Sequence, residues 1–132
     1  DMTKDEAVAK LKAHLAKRGF GDIEVIVSGG YSPTQSSEDS VIVRAAQKTL
    51  SQAGIEHSLF PRRAGSWPGV VFTGEPLKMA AGHFGVGRGG GAHAPDEWLL
   101  IDSKDPKVAG FERQSEMFVD YLYQVASEAK KR

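Results

Sequence analysis

Hydrophobic residues recur at helical spacing in three stretches of the chain, and each stretch predicts an amphipathic helix. The first begins at Thr3, which forms a capping-box pattern with Glu6, and ends near Gly19, where glycine favours a helix stop. Its apolar stripe consists of Ala7, Val8, Leu11 and Leu15. We therefore expect this helix to bury one face against another part of the protein.

Two more helices are predicted further along the chain. Ser36 or Ser37 is the expected cap of the second helix, which ends at Gly54. The stripe of this second helix consists of Val41, Ile42, Ala45, Ala46, Thr49 and Leu50. The third helix is long and covers about Phe111 to Ala129, with apolar residues on one side and charged residues elsewhere.

Short apolar runs between these helices predict strands. Ile23–Val27 is the clearest run because it is β-branched apart from one residue. Residues 57–60, 78–84 and 98–102 are further strand candidates, whereas residues 68–73 fit either a strand or a short helix. The alternation of helices and strands predicts an α/β fold in which helices pack on a sheet.

Two glycine-containing segments separate these elements. Residues 28–37 combine Gly, Ser and Pro without periodicity and are expected to cross between two structural units. The helix and strand before the crossing, residues 1–28, look like the end of a preceding domain, and residues 29–132 form the second unit. The six glycines from Gly82 to Gly91 predict irregular backbone in that segment.

The composition narrows the classes of function. Lys plus Arg equals Asp plus Glu at 17 each in 132 residues, which argues against a nucleic-acid binder that relies on bulk charge. The chain has no cysteine, so a metal would have to be held by His, Asp or Glu, and a cytoplasmic location is the default expectation. No apolar run approaches the roughly 20 residues of a membrane-spanning helix, so no membrane partner is expected.

The segment Gly91–Trp98 (GAHAPDEW) carries the most informative chemistry. His93 lies between the glycine-rich loop and a predicted strand, and two carboxylates follow at Asp96 and Glu97. Imidazole nitrogen is a good zinc ligand, and a neighbouring carboxylate can orient the ring. The alternative is a surface histidine that makes only hydrogen bonds. A single histidine provides one ligand and does not make a metal site by itself.

Two further clusters have candidate binding roles. Residues 85–90 (GVGRGG) have the spacing G-x-G-x-x-G, which cradles a pyrophosphate when a helix follows; a strand is predicted here instead, so a mobile connection is the alternative. Residues 62–68 (RRAGSWP) combine guanidinium groups with a Gly-Ser turn, and the alternative is a solvated loop in which Trp67 covers the core edge. Ser66 has no nucleophile motif or visible base around it, which argues against a catalytic serine.

The order of these motifs resembles the C-terminal third of one metallopeptidase family, the M-twenty family. The order is helix, strand, RAGSWP, strand ending in GHFGVG, GAHAPDEW, strand and long terminal helix. The family includes acetylornithine deacetylase, succinyl-diaminopimelate desuccinylase, glutamate carboxypeptidase and carnosinase-type dipeptidases. The resemblance covers about residues 33–126, and residues 3–27 resemble the last helix and strand of the family's lid, or dimerisation, domain. It implies part of a layered catalytic domain with helices on a mixed sheet.

The resemblance also implies roles for individual residues in the two motifs. His93 falls on the zinc-ligand histidine of the family's His-x-Pro-Asn-Glu segment, and Glu97 matches the acidic position that supports this ligand from outside the coordination sphere. Asp96 replaces the usual Asn, and a carboxylate cannot donate a hydrogen bond as an amide can.

The second motif resembles a substrate pocket. The family's Gly-Gly-Ser-x-Pro turn appears as residues 64–68, where Gly65 and Ser66, together with the preceding Arg62, resemble residues that line the pocket for the substrate's terminal carboxylate. Family members use two zinc ions, which cobalt or manganese can replace, bridged by a hydroxide and a carboxylate. A glutamate acts as general base.

The implied function is that of an incomplete enzyme. The family's N-terminal His-x-Asp motif, bridging Asp, Glu-Glu pair and lid histidine have no counterpart in this sequence. We therefore expect a fragment of a di-zinc metallohydrolase that cleaves an amide or peptide bond in a small N-acyl amino acid or peptide. It would require the N-terminal half of the catalytic domain as a partner. By itself the fragment is expected to be inactive and need not bind metal. A homo-oligomer is also expected. The alternative is a self-contained anion- or nucleotide-binding module that uses the glycine-rich loop.

Overall fold

Four helices and two short strands form in the part of the chain that the computed structural model describes, residues 2–60, 65 and 67–130. The helices are α1 (Lys4–Lys17), α2 (Val41–Gln52), α3 (Val70–Thr73) and α4 (Phe111–Ala129). Strands β1 (Gly89–Gly90) and β2 (Trp98–Leu99) pair antiparallel. The α/β prediction is therefore confirmed in the coarse sense that helices occur with a small sheet. None of the helices in this part of the chain has the length and apolar character that crossing a bilayer requires.

The chain divides into two compact units. The first contains residues 1–36 and 60–81, and the second contains residues 37–59 and 82–132. The first unit therefore holds α1 and α3, whereas the second holds α2, α4 and the two strands.

The predicted first helix and its capping box are confirmed. The Thr3 hydroxyl accepts a hydrogen bond from the Glu6 N–H (3.3 Å), and the Glu6 carboxylate accepts one from the Thr3 N–H (2.7 Å). The backbone bond and a second bond from the Thr3 hydroxyl hold the pKa of Glu6 below its ordinary value. However, α1 contains no fully buried residue: Ala7, Val8 and Leu15 are half-buried and Leu11 is 48% exposed, so the predicted apolar face is only partly covered.

The predicted cap of the second helix is wrong, because α2 begins after Ser40. The hydroxyl of Ser36 instead donates to the carbonyl of Ala81 (2.7 Å) and accepts from its N–H (2.8 Å). The hydroxyl of Ser37 accepts a hydrogen bond from the N–H of Asp39 (3.2 Å). Both predicted caps are therefore committed to other backbone groups.

Residues 68–73 contain the short helix α3 and not a strand. Close contacts within the first unit surround this helix. The hydroxyls of Thr34 and Thr73 share a hydrogen bond of 2.5 Å. The rings of Trp67 and Phe72 are stacked with their centroids 6.5 Å apart. A Cβ atom on Gly69 would lie 2.3 Å from the Trp67 ring, so this contact requires glycine.

The second unit is built on the packing of α4 against α2. Met117 of α4 and Ala45 of α2 are both fully buried. The hydroxyl of Thr49, also buried, donates to the Ala45 carbonyl at 2.9 Å, so its polar group has a partner inside the contact. Burial of a methionine side chain contributes about 1.5–3 kcal/mol to folding.

A buried carboxylate also joins these two helices. The side chain of Glu128 near the end of α4 is 4% exposed and pairs with two cations of α2, Arg44 (Nε to Oε2, 3.2 Å) and Lys48 (Nζ to Oε1, 2.5 Å). The two cations are one helical turn apart, so a single carboxylate can bridge them. A buried charge must be paired to be tolerated, and Glu128 therefore helps to fix the register of α4 on α2.

An aromatic cluster attaches the glycine-rich segment to α4. The ring of Phe84 stacks on Tyr121 (centroids 4.3 Å apart) and meets Phe118 edge-on (5.4 Å). The hydroxyl of Tyr121 donates to the Ile42 carbonyl of α2 at 3.4 Å, and burial raises the pKa of this tyrosine. The cluster thus places the start of the glycine-rich segment beside both helices.

Most of the predicted strands are wrong. Residues 23–27, 57–60 and 78–84 form no strand in the described part of the chain. A strand exists only where a neighbour satisfies its N–H and C=O groups, and local residue preference cannot supply that neighbour. Conversely, β1 forms inside the glycine-rich segment, where irregular backbone was predicted, and β2 occupies only the start of residues 98–102.

Much apolar surface remains exposed to solvent. Large hydrophobic side chains are exposed in both units, among them Ile26 (79% exposed), Phe60 (80%) and Tyr123 (75%). Surface of this kind typically marks sites where other protein surfaces pack.

The buried carboxylate gives a stability prediction. We expect Glu128→Gln to lower the free energy of unfolding by about 2 kcal/mol, because Arg44 and Lys48 lose their charged acceptor. Urea denaturation followed by circular dichroism measures this change. Glu56→Gln, an exposed carboxylate in the same unit, is the matched control and should change stability by less than about 0.5 kcal/mol. Equal effects of the two substitutions would contradict a bridging role for Glu128.

Candidate functional site

The candidate site lies in a β-hairpin. Gly89 and Gly90 of β1 face Leu99 and Trp98 of β2, respectively. The N–H of Leu100 donates to the Arg88 carbonyl at 2.8 Å and extends the pairing by one residue. Residues 91–97 form the connection, so the GAHAPDEW motif is the end of the hairpin and the beginning of its second strand.

Two glycines make this hairpin possible. A Cβ atom on Gly89 would lie 2.7 Å from the Trp98 carbonyl oxygen, and one on Gly90 would lie 2.8 Å from the Trp98 indole nitrogen. A side chain at Gly89 would collide with the backbone of β2, and one at Gly90 would displace the indole of Trp98, which lies against the Gly90 backbone. The glycines of this segment therefore serve close packing across the hairpin.

The connection itself consists of tight turns held by backbone hydrogen bonds. The N–H of Ala94 donates to the Gly91 carbonyl (2.8 Å), and the N–H of Glu97 donates to the Ala94 carbonyl (3.1 Å). The N–H of His93 donates to the Glu97 carboxylate at 3.3 Å. Gly91 and His93 both have positive φ, 67° and 66°. Glycine adopts this conformation readily, whereas histidine does so at a cost of roughly 1–2 kcal/mol.

The three predicted residues of the motif lie close in sequence and are all exposed. His93, Asp96 and Glu97 occupy the hairpin connection, and the direct contact among them is the bond from the His93 backbone to Glu97. Within the described residues, no group of three or more His, Cys, Asp or Glu side chains is placed to hold a metal ion. His93 can therefore supply one ligand, and any complete site needs further ligands from elsewhere.

The predicted carboxylate pocket falls partly outside the described residues. Arg62 and Ser66 are both in the part of the chain for which the structure gives no description. Gly65 is exposed and has a φ of 135°, a value that strongly favours glycine. The adjacent Trp67 is half-buried, in agreement with the alternative in which this residue covers a core edge.

The G-x-G-x-x-G segment does not have the surroundings of a pyrophosphate site. Gly87 forms a parallel bridge with Ala109, and a Cβ atom there would lie 1.8 Å from the side-chain oxygen of Gln114. After Gly90 the backbone enters the turns of the hairpin, and no helix begins there. The backbone N–H groups of a helix start, which hold the phosphates in such sites, are therefore missing from this described segment.

Two features of the second unit were not predicted from the sequence. The first is the contact of Trp98 with Gly90. The sequence pattern that could have predicted it is a pair of glycines followed by a tryptophan at hairpin spacing. The second is the ion cluster of Glu128, Arg44 and Lys48. Its signal is an i, i+4 pair of cations on one amphipathic helix together with a carboxylate on the inner face of another.

Comparison with known proteins adds no relative. No protein-family model matches the sequence, and no curated protein or solved structure matches it significantly.

The unusual backbone of His93 gives the second prediction. We expect His93→Gly to raise the free energy of unfolding by about 0.5–1 kcal/mol, because glycine removes the cost of positive φ and adds a smaller entropic cost. His93→Ala retains that cost and should not stabilise the protein. Urea denaturation of both variants checks this difference. A glycine variant that is less stable than the alanine variant would show that the positive φ at this position is not a burden on folding.

Proposed function

We propose that this chain is the C-terminal part of a di-zinc amidohydrolase of the M-twenty type, in which His93 supplies one metal ligand. The observation that carries the proposal is the combination of exposure and positive φ at His93. Strained backbone at a non-glycine residue persists where function requires that side chain, so it supports a chemical role for the imidazole. A histidine with only a surface role could be replaced by Gly or Asn, which adopt this conformation at lower cost.

The carboxylates beside His93 fit a supporting role. Glu97 accepts the hydrogen bond of the His93 N–H, which holds the turn that presents the imidazole. A carboxylate near a ligand histidine also raises the affinity for a cation. Asp96 adds a second negative charge in place of the family's Asn, so it would favour cation binding by charge and not by amide hydrogen bonding.

The uncovered surface supports a requirement for another part of the enzyme. Residues 23–27 and 78–84 are apolar segments without a strand partner in the described structure. We propose that both segments gain strand partners when the N-terminal half is present. Residues 78–84 would join the mixed sheet of a layered catalytic domain, whereas residues 23–27, which belong to residues 1–28, would join the lid domain. Backbone pairing of this kind would cover exposed apolar side chains of these segments, such as those of Ile26 and Met79.

The proposed reaction is hydrolysis of an amide or peptide bond. The two metal ions, zinc or in its place cobalt or manganese, would polarise the substrate carbonyl and generate the nucleophilic hydroxide. The turn at Gly65, together with Ser66 and Arg62, would bind the terminal carboxylate of an N-acyl amino acid or a short peptide, since the Arg fork matches a carboxylate. The general base and the other ligands would come from the N-terminal half, so we expect the chain alone to be inactive.

The alternative, an anion- or nucleotide-binding module built on residues 85–90, has less support. Gly87 packs on Gln114, and Gly89 and Gly90 pack on Trp98, so the close packing of the glycines already explains their presence. Titration of the chain with inorganic phosphate or a nucleotide, without metal, tests it. Micromolar affinity would favour this module over the hydrolase.

The hydrolase proposal predicts a loss of zinc and of activity on substitution of the ligand. We expect His93→Ala in the complete gene product to reduce kcat/KM for N-acetyl amino acids or dipeptides by at least about 100-fold, because changes around a metal ligand alone cost 10–100-fold. Zinc content measured by mass spectrometry should fall in parallel. The assay is run with zinc and with cobalt.

Two substitutions serve as controls for this experiment. His57→Ala removes a histidine whose ring nitrogen bonds the Ile55 carbonyl, and it should leave zinc content unchanged. Asp96→Asn restores the family's residue and should retain activity within about 10-fold. Unchanged zinc content and activity in the His93 variant would refute the proposal, and so would the absence of amide hydrolysis by the complete protein.

A further inference from the structure

The face of α4 that points away from α2 is apolar and exposed. α2 covers the side of α4 that contains Met117 and Glu128. Across the helix from that side lie Val119 (53% exposed), Leu122 (65%) and Tyr123 (75%). These side chains form a stripe at helical spacing, which is the pattern by which one helix packs on another.

A row of carboxylates runs along the edge of this stripe. Glu112, Glu116 and Asp120 are spaced four residues apart and are all exposed. Like charges at this spacing repel each other and destabilise a helix. Arg113 pairs with Glu116 at 2.9 Å and offsets part of this repulsion. An acidic row beside an apolar stripe favours a partner helix that has the reverse charge.

Helix α1 has that reverse pattern. Leu11 is half-exposed, and Lys10, His14 and Lys17 form an exposed row beside it with spacings of four and three residues. No residue of α1 is buried. The basic row of α1 and the acidic row of α4 therefore have nearly equal length, about 10–12 Å at the helical rise per residue.

From this match we propose that the chain associates with itself through α1 of one molecule packed on α4 of a second molecule. Leu11 of the first molecule would lie on Leu122 and Tyr123 of the second, and the basic row of α1 would pair with the acidic row of α4. The contact joins two different surfaces, so it is heterologous and builds rings or open chains unless it closes as a reciprocal pair. This proposal does not depend on the proposed enzymatic function.

A reciprocal charge swap tests the interface. The basic-to-acidic variant carries Lys10→Glu and Lys17→Glu, and the acidic-to-basic variant carries Glu116→Lys and Asp120→Lys. Each variant alone has like charges on both helices, so we expect its self-association to be at least about 10-fold weaker than that of the wild type. In an equimolar mixture every α1 meets an α4 of opposite charge, and association should recover to within a few-fold of wild type.

The measurement is sedimentation of the 132-residue chain over a range of concentrations, at low salt and at about 0.5 M salt, which should weaken the contact. Circular dichroism of each variant confirms that its helices remain folded. Glu24→Lys with Lys104→Glu, at exposed positions outside α1 and α4, is the matched control and should associate like the wild type. Leu122→Asp should abolish association in wild type and in the mixture.

Three results would overturn the proposal. The first is a wild-type chain that remains monomeric at every concentration. The second is a mixture of the two folded charge variants that stays as weak as each variant alone. The third is association that both charge variants retain in full, because the contact would then be apolar and independent of these two rows.

Discussion

The arrangement of the second unit depends on the pairing of α4 with α2. Met117 supplies a fully buried apolar side chain at this contact, and Glu128 supplies a buried charge that needs both Arg44 and Lys48. The apolar contact tolerates sliding of one helix along the other, whereas the ion cluster does not, because its distances must be kept. The carboxylate therefore adds specificity of register to an association that hydrophobic burial drives.

The candidate site depends on this helix pair through a short series of contacts. Phe84 stacks on Tyr121 of α4, Gly87 bridges to Ala109, and the hairpin then extends as far as His93. Backbone hydrogen bonds and close packing of Gly91 define the connection. Such a hairpin can present a ligand, but it cannot enclose a metal ion by itself. In the proposed enzyme, this hairpin would form one wall of the site, and the N-terminal half would supply the other walls.

The helices were predictable and most of the strands were not, for a physical reason. The signals of α1 and α4 are local: the Thr3–Glu6 capping box and the spacing of apolar residues over 111–129 are complete within each helix. A strand such as residues 23–27 depends on a partner that the local sequence does not specify. The cap at Ser36 failed similarly, since the distant Ala81 backbone competes for the same hydroxyl. In the candidate site, the motif indicated His93 and the neighbouring carboxylates of Asp96 and Glu97. The positive φ of His93 was not predictable, because it arises from turn geometry that residue types do not encode.

The uncovered surface is of two physical kinds, and each requires a different partner. Residues 23–27 pair with no strand in the described structure and expose apolar side chains such as Ile26, which a further strand added to this segment would cover. The exposed faces of α1 and α4 have satisfied backbones and expose side chains alone, so they fit a helix with matching apolar and charged rows. A single partner surface does not satisfy both requirements. The proposed completion of a catalytic domain and the proposed association of identical molecules therefore concern separate surfaces, and neither proposal requires the other.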